Sequence, residues 1–325
     1  MQTMTHPAAV PPGGGAPLQT DENALLDAVY DLMREGRVEQ GMNELLPGLQ
    51  TRKVAWDAPR WNAFVPRCLT HPLRQLLHQD PFTRRAFLKP RGYSGDAELL
   101  DLIYGREEGW PPPDGTTELG MKIFDYTSQS QACEAVRARR GFVADVVDRL
   151  VAEVPRPHVL SVAAGHLREV LLCAAVKRRK IGRYVALDSD PASVAEVRRC
   201  YAGYGVEAVQ ASVRQLLARK VALGQFDMVY STGLFDYVQE AAAQRLTDVL
   251  FQLLRPGGRL LIANFLPGIR DVGYMETYMD WKLVYRTRRE MLDMSLDIPQ
   301  EVIQDIRIFC EESQNIIFLQ ITRRS

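Results

Sequence analysis

The sequence predicts an α/β protein in which a helical region precedes a mostly parallel sheet. From residue 158 onwards, strand-like apolar segments alternate with helix-like segments, whereas strand-like alternation is nearly absent before residue 157. Strands that alternate with helices form parallel sheets with helices on both faces. Two further strand-like segments, 302–310 and 315–324, flank a short polar turn, and they predict a final antiparallel hairpin.

The chain divides into three parts. Residues 1–20 are rich in Pro, Gly and Ala, which predicts a disordered tail. Residues 21–134 form a helical N-terminal region that we interpret as a lid, and residues 135–325 form the α/β domain. Apolar residues at helical spacing predict three helices in the first region. The first ends at Gly36, and the other two cover 38–50 and 60–79. Three consecutive prolines within 107–118 predict a break, because proline is excluded from helix interiors.

A helix at 130–154 leads into the alternating half of the chain. The predicted strands are 158–164, 183–188, 206–212, 226–232 and 259–265. Between them, the predicted helices are 167–179, 191–205 and 241–254, the last of them closed by a Pro-Gly-Gly turn at 256–258.

Composition excludes several classes of protein. Lys plus Arg and Asp plus Glu are equal at 40 each, so a nucleic-acid partner, which usually requires a basic excess, is not expected. No apolar run reaches the length of about 18 residues that spans a bilayer, and the first residues do not resemble a signal peptide. The five cysteines are scattered without a CxxC spacing, which predicts a reduced, cytoplasmic protein without a zinc site or any other metal. The sequence leaves a homodimer open.

The first candidate binding element is the segment 163–166, which follows the first strand. In a doubly wound sheet, ligands bind outside the carboxyl ends of the strands. Gly165 permits a tight turn and a close approach to a ligand, and the next helix would offer free N–H groups to an anion. We therefore assign Ala163, Ala164, Gly165 and His166 to cofactor binding, although one glycine is equally compatible with a simple strand-to-helix turn.

Asp188 ends the second strand, where a carboxylate can accept hydrogen bonds from both hydroxyls of a ribose. The alternative is that Asp188 caps the helix that begins near Pro191, but Ser189 or Asp190 could do this equally well. We favour ribose binding for Asp188, and we place Ser189 beside it.

Two further segments complete the predicted cofactor site. Ser212 and Val213, after the third strand, are expected to meet the adenine edge. After the fourth strand, Thr232 and Gly233 supply small residues for cofactor contact and Phe235 a wall, although Phe235 is equally typical of ordinary core.

On these residues the chain resembles the class I methyltransferases that depend on S-adenosylmethionine (SAM), and the resemblance covers about 155–325. The motifs are the acidic end of the second strand, the Pro-Gly-Gly turn before the fifth strand, and the antiparallel last hairpin. The resemblance implies a Rossmann-like sheet and SAM as cofactor. The chain departs from the family pattern D/E-x-G-x-G, since its first loop reads VAAGHL at 162–167.

A narrower resemblance rests on three further segments. GHLRE at 165–169, KPRGYSGDAELLDLIYG at 89–105 and DWKLVYRT at 280–287 resemble the PhcB-type methyltransferases of 3-hydroxypalmitic acid methyl ester biosynthesis. The resemblance implies a quorum-signal or other secondary-metabolism enzyme that acts on a small molecule.

Histidine usage bears on the acceptor. None of the five histidines lies after residue 166, so the loops after the fourth and fifth strands cannot supply a histidine base. This favours a carboxylate acceptor, which is already ionised at neutral pH, although Tyr, Asp or Glu could act as base.

Acceptor binding is expected in the insert at 266–287. Its aromatic residues are Tyr274, Tyr278, Trp281 and Tyr285. Half of them are equally suited to packing against the helical region. Asn264, at the carboxyl end of the fifth strand, and Tyr93, in the loop RGYSGD, are the candidate catalytic residues. In the same loop, Asp96 equally suits a helix N-cap.

Three functions remain in competition. The first is methylation of a small carboxylate, for example a hydroxy fatty acid, to give a methyl ester. The second is N- or O-methylation of another small metabolite. The third is a non-catalytic SAM-fold interaction module, which the incomplete glycine loop supports weakly.

Overall fold

The computed structural model describes residues 22–325, so the predicted disordered tail lies outside the described residues. Within the described residues, eight helices precede the first strand. They are α1 (Ala24–Arg34), α2 (Val38–Ala55), α3 (Ala58–Thr70), α4 (Leu73–Leu77), α5 (Pro81–Leu88), α6 (Ala97–Glu108), α7 (Glu118–Thr127) and α8 (Gln131–Glu153).

Local sequence signals explain where these helices begin and end. The side chains of Asp57, Asp80, Asp96, Thr117 and Ser130 each accept a backbone N–H in the first turn of a helix. The predicted break at 107–118 lies between α6 and α7. The predicted helix at 60–79 is divided between α3 and α4, because the chain turns at a His-Pro pair.

A seven-stranded sheet forms the second half of the chain. Its strands are β1 (His158–Val162), β2 (Arg183–Asp188), β3 (Val206–Gln210), β4 (Phe226–Ser231), β5 (Leu254–Phe265), β6 (Ile303–Cys310) and β7 (Ile316–Arg323). Their order is β3-β2-β1-β4-β5-β7-β6, in which β1 to β5 are parallel and β7 pairs antiparallel to both β5 and β6. The predicted α/β fold with an antiparallel last hairpin is confirmed.

The helices of the second half are short or broken. They are α9 (Ala174–Lys177), α10 (Pro191–Tyr201), α11 (Val213–Leu217), α12 (Glu240–Gln252), α13 (Val272–Tyr278) and α14 (Arg288–Asp293). The predicted helix at 167–179 is wrong, because the chain forms a 3₁₀ turn at Arg168–Leu171 before α9 starts. The Asp148 carboxylate of α8 accepts the N–H groups of Ala174 and Ala175, and it thereby fixes a new helix start at this point.

Two strand boundaries also differ from the prediction. β3 ends at Gln210, because Ser212 already caps α11. β5 starts at Leu254, and the Pro-Gly-Gly turn lies inside this strand as an irregularity in its pairing with β4.

The sheet separates two clusters of buried side chains. Alternate residues of a strand point to opposite faces. On β5, Leu261, Ala263 and Phe265 join the cluster that contains the N-terminal helices, whereas Leu260 and Ile262 join the cluster beneath α12. The helical region is therefore packed on one face of the sheet, and α6 and α8 reach the carboxyl ends of its strands.

Candidate functional site

The loop after β1 has an unusual backbone. Ala163, Gly165 and Leu167 have φ angles of 54°, 52° and 53°, so three residues out of five lie in the left-handed region. Two of them carry a side chain and pay a conformational cost that is typical of functional sites. A Cβ on Gly165 would lie 3.3 Å from the Cβ of Ala97 in α6, so the loop closely approaches the helical region.

Asp188, at the end of β2, holds this loop. Its Oδ2 accepts the Gly165 N–H at 2.7 Å, and its Oδ1 accepts the Asp190 N–H at 2.9 Å. A carboxylate has about four acceptor positions, so two remain for ligand hydroxyls. Asp188 thus combines a structural role with the free acceptors that ribose binding would require.

A cavity lies at the carboxyl ends of β1 and β4. Six of the predicted cofactor residues line this cavity: Ala163, Ala164, Gly165, His166, Thr232 and Gly233.

The helical region forms the opposite wall of this cofactor cavity. Leu100 and Tyr104 of α6 line it, as does Arg139 of α8. Arg139 is 5% exposed and donates to the Thr232 carbonyl oxygen, and it forms no ion pair with a carboxylate within residues 22–325.

Glu169 is the acidic counterpart of Arg139 in the cavity wall. It accepts a hydrogen bond from the Tyr230 hydroxyl, and it has no ion-pair partner in the described part of the chain. Burial raises the pKa of Glu169. A buried cation and a half-buried anion, neither in an ion pair within residues 22–325, fit the carboxylate and ammonium of a bound amino acid, as in the methionine part of SAM.

Ion pairs and hydrogen bonds of Asp101 join α6 to the loop after β1. Asp101 Oδ2 lies 2.7 Å from His166 Nδ1 and accepts a hydrogen bond from Arg168 at 2.6 Å. Although burial acts to raise it, the hydrogen bonds from Arg168 and His166 hold the pKa of Asp101 below its usual value. Arg91 forms a second contact, since it donates to Asp190 at 2.5 Å.

The loop after β4 carries a buried acid, Asp236. Its Oδ1 accepts the Phe265 N–H at 2.8 Å, at the point where β5 ends, and no residue within 22–325 donates to its Oδ2. Burial raises the pKa of Asp236 to about 6, although Arg139, the Phe265 N–H and Arg286 act in the opposite direction.

A second cavity, which we call the chamber, lies next to the cofactor cavity. Its walls are mostly apolar, and Phe265, Trp281, Met275 and Met279 are among them. Residues three apart on a helix are neighbours. On α6, Ile103 lines the chamber and Leu100 the cofactor cavity, and on α8 the corresponding pair is Val136 and Arg139. The two cavities are therefore about one helical turn apart.

Asp188 and four other predicted cofactor residues do not line the cofactor cavity. Ser189 is exposed, and Ser212 forms a capping box with Gln215 at the start of α11, so its hydroxyl is already engaged. Val213 is the first residue of α11.

For Phe235 the predicted wall is corrected. Its side chain is fully buried in the cluster beneath α12, so the alternative of ordinary core holds.

The two candidate catalytic residues have different surroundings. Asn264 is fully buried, donates to the carbonyls of Phe265 and Val284 and accepts from Arg286. Its amide is thus used to hold the segment after α13. Burial, then the nearby Asp188 and Asp190, raises the pKa of Tyr93 to about 12, which makes it a poor base at neutral pH.

The predicted acceptor-binding aromatics have different surroundings. Trp281 and Tyr274 line the chamber, and the Trp281 indole N–H donates to the Tyr237 hydroxyl at 2.8 Å. The Tyr274 hydroxyl lies 2.8 Å from the Thr83 hydroxyl of α5. Tyr278 and Tyr285 do not line it, and their buried hydroxyls have no hydrogen-bond partner within residues 22–325.

Several residues of the site escaped the sequence analysis. Asp236 lies beside Phe235 in the loop already singled out, and an acid at the end of a strand could have been recognised. Arg139 and Asp101 lie on helices far from the strand ends in sequence, and no local pattern distinguishes them from surface charges. Asp96 is the N-cap of α6, which confirms the alternative interpretation that it begins a helix.

Comparison with known proteins agrees with this geometry. Residues 159–258 match a family described as a methyltransferase domain. No functionally curated protein is similar in sequence to this chain. A solved structure described as that of a possible exported protein from Bordetella parapertussis is 16% identical, with a TM-score of 0.57, and the match covers 95% of this chain and all of that one.

Two solved methyltransferases are more distant. The N-methyltransferase NodS from Bradyrhizobium japonicum, in complex with S-adenosylhomocysteine (SAH), is 12% identical with a TM-score of 0.44, covering 69% of this chain and 100% of its own. Magnesium protoporphyrin IX methyltransferase from Synechocystis, with bound SAH, is 13% identical with a TM-score of 0.45, covering 60% and 88%.

The family match and the strand order define the class of this protein. The matched residues contain most of β1, all of β2 to β4, the cofactor loop and Asp188. The protein is a SAM-dependent methyltransferase of the class I fold, and SAM is its cofactor. Within residues 22–325 no cluster of His, Cys, Asp and Glu could hold a metal ion, and no helix is long and apolar enough to cross a membrane.

Proposed function

We propose that the enzyme methylates the carboxylate of a small molecule that has an apolar body, for example a hydroxy fatty acid, to give a methyl ester. The observation that carries this proposal is the chamber. Its walls are mostly apolar, and it lies about one helical turn from the cofactor cavity. An apolar group of the acceptor would be removed from water there, and the reacting group would lie near the loop after β4.

SAM supplies an electrophilic sulfonium methyl group when it is bound. Asp188 would accept hydrogen bonds from its ribose, while Arg139 and Glu169 would bind the carboxylate and ammonium of its methionine part. Ala163, Gly165 and His166 would bring the backbone of the first loop against it. Asp101 and Arg91 would hold α6 and the loop RGYSGD over the site and exclude water.

A carboxylate acceptor requires no catalytic base, because it is already ionised at neutral pH. The chain then has to align the acceptor and shield it from water. Phe265 and Trp281, at the end of the chamber nearest the loop after β4, are the residues that we assign to this alignment.

Asp236 favours a second candidate, a hydroxyl or amine acceptor. Its carboxylate lies between the ends of β4 and β5, and no residue within 22–325 donates to its Oδ2. An acceptor that must lose a proton would use this oxygen as the base.

Methyl-labelled SAM distinguishes the two candidates when it is offered with matched straight-chain 3-hydroxy acids, alcohols and amines. A methyl ester releases its label as methanol in mild base, whereas ethers and methylamines retain it. For a carboxylate acceptor we expect base-labile label, a rate that changes little from pH 8 to about 6, and less than a threefold loss of kcat in Asp236→Asn. A loss of kcat of about 10²-fold or more in that variant, with base-stable label, would move the function to the second candidate.

The location of the protein has its own test. We retain the cytoplasm as the expected location, and fractionation of cells is the measurement, since a protein of similar structure is described as a possible exported protein.

A further inference from the structure

A chain of hydrogen bonds links β2 and β4 to the turn that follows the cofactor loop. The Tyr184 hydroxyl, on β2, lies 2.6 Å from the Tyr230 hydroxyl, on β4, and the Tyr230 hydroxyl donates to Glu169. Because Tyr230 gives its only hydroxyl proton to Glu169, it has to accept the proton of Tyr184. The chain therefore has one direction, and it ends at a carboxylate that lines the cofactor cavity.

The strand between the two tyrosines has a small side chain at this level. β1 lies between β2 and β4, and Ser161 of β1 is the register neighbour of Tyr230. Val159 belongs to the cluster that contains the N-terminal helices, so Ser161, two residues later, faces the same side of the sheet. Ser161 also lines the cofactor cavity. A large or acidic side chain at residue 161 would therefore lie beside Glu169 and oppose it.

Glu169 is an acid at an unexpected place in the chain. Aligned on Gly165, the family pattern D/E-x-G-x-G has its acid at residue 161, where this chain has the uncharged Ser161. Glu169 lies in the 3₁₀ turn after the loop and still reaches the cofactor cavity. The cavity thus has an acid, but the turn after the loop supplies it and the strand before the loop does not.

The two tyrosines are the parts of this chain that are held by packing. Tyr184 is 3% exposed and Tyr230 is 1% exposed, and both belong to the cluster between the sheet and the helical region. Glu169 is half-buried, and its long side chain would occupy several rotamers without a partner. Among residues 22–325, Tyr230 is the only side chain that donates to it. The tyrosine pair thereby limits the carboxylate to one orientation.

We propose that Glu169 replaces the missing strand-end acid as the ammonium-binding group, and that Tyr230 and Tyr184 are the positioning residues that hold its carboxylate towards the cofactor. The proposal rests on the proposed function, in that Glu169 contacts the methionine part of SAM. It adds that recognition of the ammonium depends on two tyrosines that do not line the cofactor cavity. It also explains why residue 161 is small and uncharged.

The charge of Glu169 depends on the same hydrogen bond. Burial raises the pKa of Glu169, and the hydrogen bond from Tyr230 acts in the opposite direction. The other ionisable groups that act on Glu169 come from α8, α6, α10 and β2, and they are Arg139, Arg140, Tyr104, Tyr201 and Tyr184. Loss of the Tyr230 hydroxyl should therefore raise the pKa of Glu169 further. The carboxylate would then take up a proton at a higher pH and lose its attraction for an ammonium.

Two ligands separate the ammonium contact from the rest of the cofactor site in the full-length protein. SAH has the amino acid part, whereas 5′-methylthioadenosine has the adenosine and the sulfur without it. At pH 8, Tyr230→Phe should bind SAH about tenfold more weakly than the wild type, as expected for one hydrogen bond to a charged group, and should bind methylthioadenosine within about twofold. Calorimetry measures both affinities. Equal losses for the two ligands, or no loss for SAH, would overturn the proposal.

Tyr126→Phe is the matched control. The Tyr126 hydroxyl donates to Asn43 at 2.7 Å within the helical region, so this variant also loses one tyrosyl hydrogen bond. Its affinity for both ligands should equal that of the wild type. If Tyr230→Phe does not fold, Tyr184→Phe decides, because it removes the donor that orients Tyr230. It should weaken SAH binding and leave methylthioadenosine binding unchanged, and an unchanged SAH affinity would count against the chain.

The pH dependence of these affinities is a readout that a loss of packing would not move. As the pH falls from 8 to 5, the SAH affinity of Tyr230→Phe should begin to fall at a higher pH than that of the wild type. Methylthioadenosine affinity should stay level in both proteins. In a Glu169→Gln background, Tyr230→Phe should change SAH affinity less than about twofold, since no charge remains to be held. Identical pH profiles or fully additive losses would contradict the positioning role.

Glu169→Gln separates this inference from the proposed function. If SAH affinity falls in Glu169→Gln but not in Tyr230→Phe, the contact with the ammonium stands and the tyrosines are not its positioning residues. If SAH affinity falls in neither variant, the ammonium contact of the proposed function is refuted as well. Ester formation is decided independently of both, by the base-labile label.

Discussion

The substitution Asp188→Asn tests how the cofactor loop is held. The two oxygens of Asp188 each accept a different backbone N–H, from Gly165 and from Asp190. A carboxamide has one oxygen, so its NH₂ group must face one of these donors. A buried donor that loses its acceptor costs about 1–3 kcal/mol, and the ribose loses hydrogen bonds to a charged group, worth about 1.5–3 kcal/mol.

We therefore expect SAH to bind Asp188→Asn about 10- to 150-fold more weakly than the wild type, since each 1.4 kcal/mol corresponds to a factor of ten. Titration calorimetry measures this affinity, and thermal unfolding without ligand reports the loss of stability.

Asp227→Asn is the matched control. Asp227 lies at the opposite end of the strands, where it accepts the His158 N–H at 2.7 Å and an Arg255 N–H at 2.8 Å. This variant should also lose stability but keep its SAH affinity. An Asp188→Asn protein that is less stable yet binds SAH within twofold of the wild type would refute the assignment to the ribose.

Four other predictions concern the same site and the N-terminus. Gly165→Val should lower SAH affinity more than tenfold, because a left-handed position gains a β-branched side chain next to Ala97. Gly205→Val is the control, since Gly205 is also left-handed but lies in open space, and its SAH affinity should not fall. Calorimetry compares the two variants. Glu169→Gln should weaken SAH binding by about 1.5–3 kcal/mol, and an unchanged dissociation constant would exclude a contact with the ammonium. The raised pKa of Asp236, about 6, means that the folded state holds this proton more tightly than the unfolded state, so the contribution of Asp236 to stability falls as pH rises from about 4 to 6. Asp236→Asn should lack that fall in denaturant titrations at pH 4, 5 and 6. A chain that starts at Asp21 should keep the SAH affinity and melting temperature of the full chain, and a melting temperature several degrees lower would show that the tail packs.

Much of the fold was predictable because its signals are local. Continuous apolar runs bounded by polar turns gave the positions of β1 to β4, and Asp188 was recognisable since it ends such a run. The antiparallel hairpin was equally clear from two strands around a polar turn. The prediction was wrong where a side chain distant in sequence decides where a helix begins. The Asp148 carboxylate starts α9 within the segment 167–179, whose sequence pattern predicts one continuous helix.

The residues of the site likewise fall into those that local sequence predicts and those that it does not. The first loop, Asp188 and the loop after β4 were predictable, because parallel strands bring their carboxyl ends to one edge whatever the rest of the chain does. Phe235 and Asn264 were misassigned, since sequence does not show whether a residue at a strand end faces the cavity, the core or a neighbouring backbone.

The sequence by itself determined the class I sheet, the location of the cofactor loop and the helical character of residues 22–153. Only the tertiary structure decided that α6 and α8 form the second wall of the cofactor cavity and that an apolar chamber lies one helical turn away. It also decided that Arg139 and Glu169 line the cofactor cavity without an ion-pair partner among residues 22–325. The reason is that strand ends are ordered by backbone hydrogen bonding, which follows local pattern, whereas a cavity is the space left by side chains from segments more than 100 residues apart. Its shape depends on how those segments pack, and no local pattern encodes that packing.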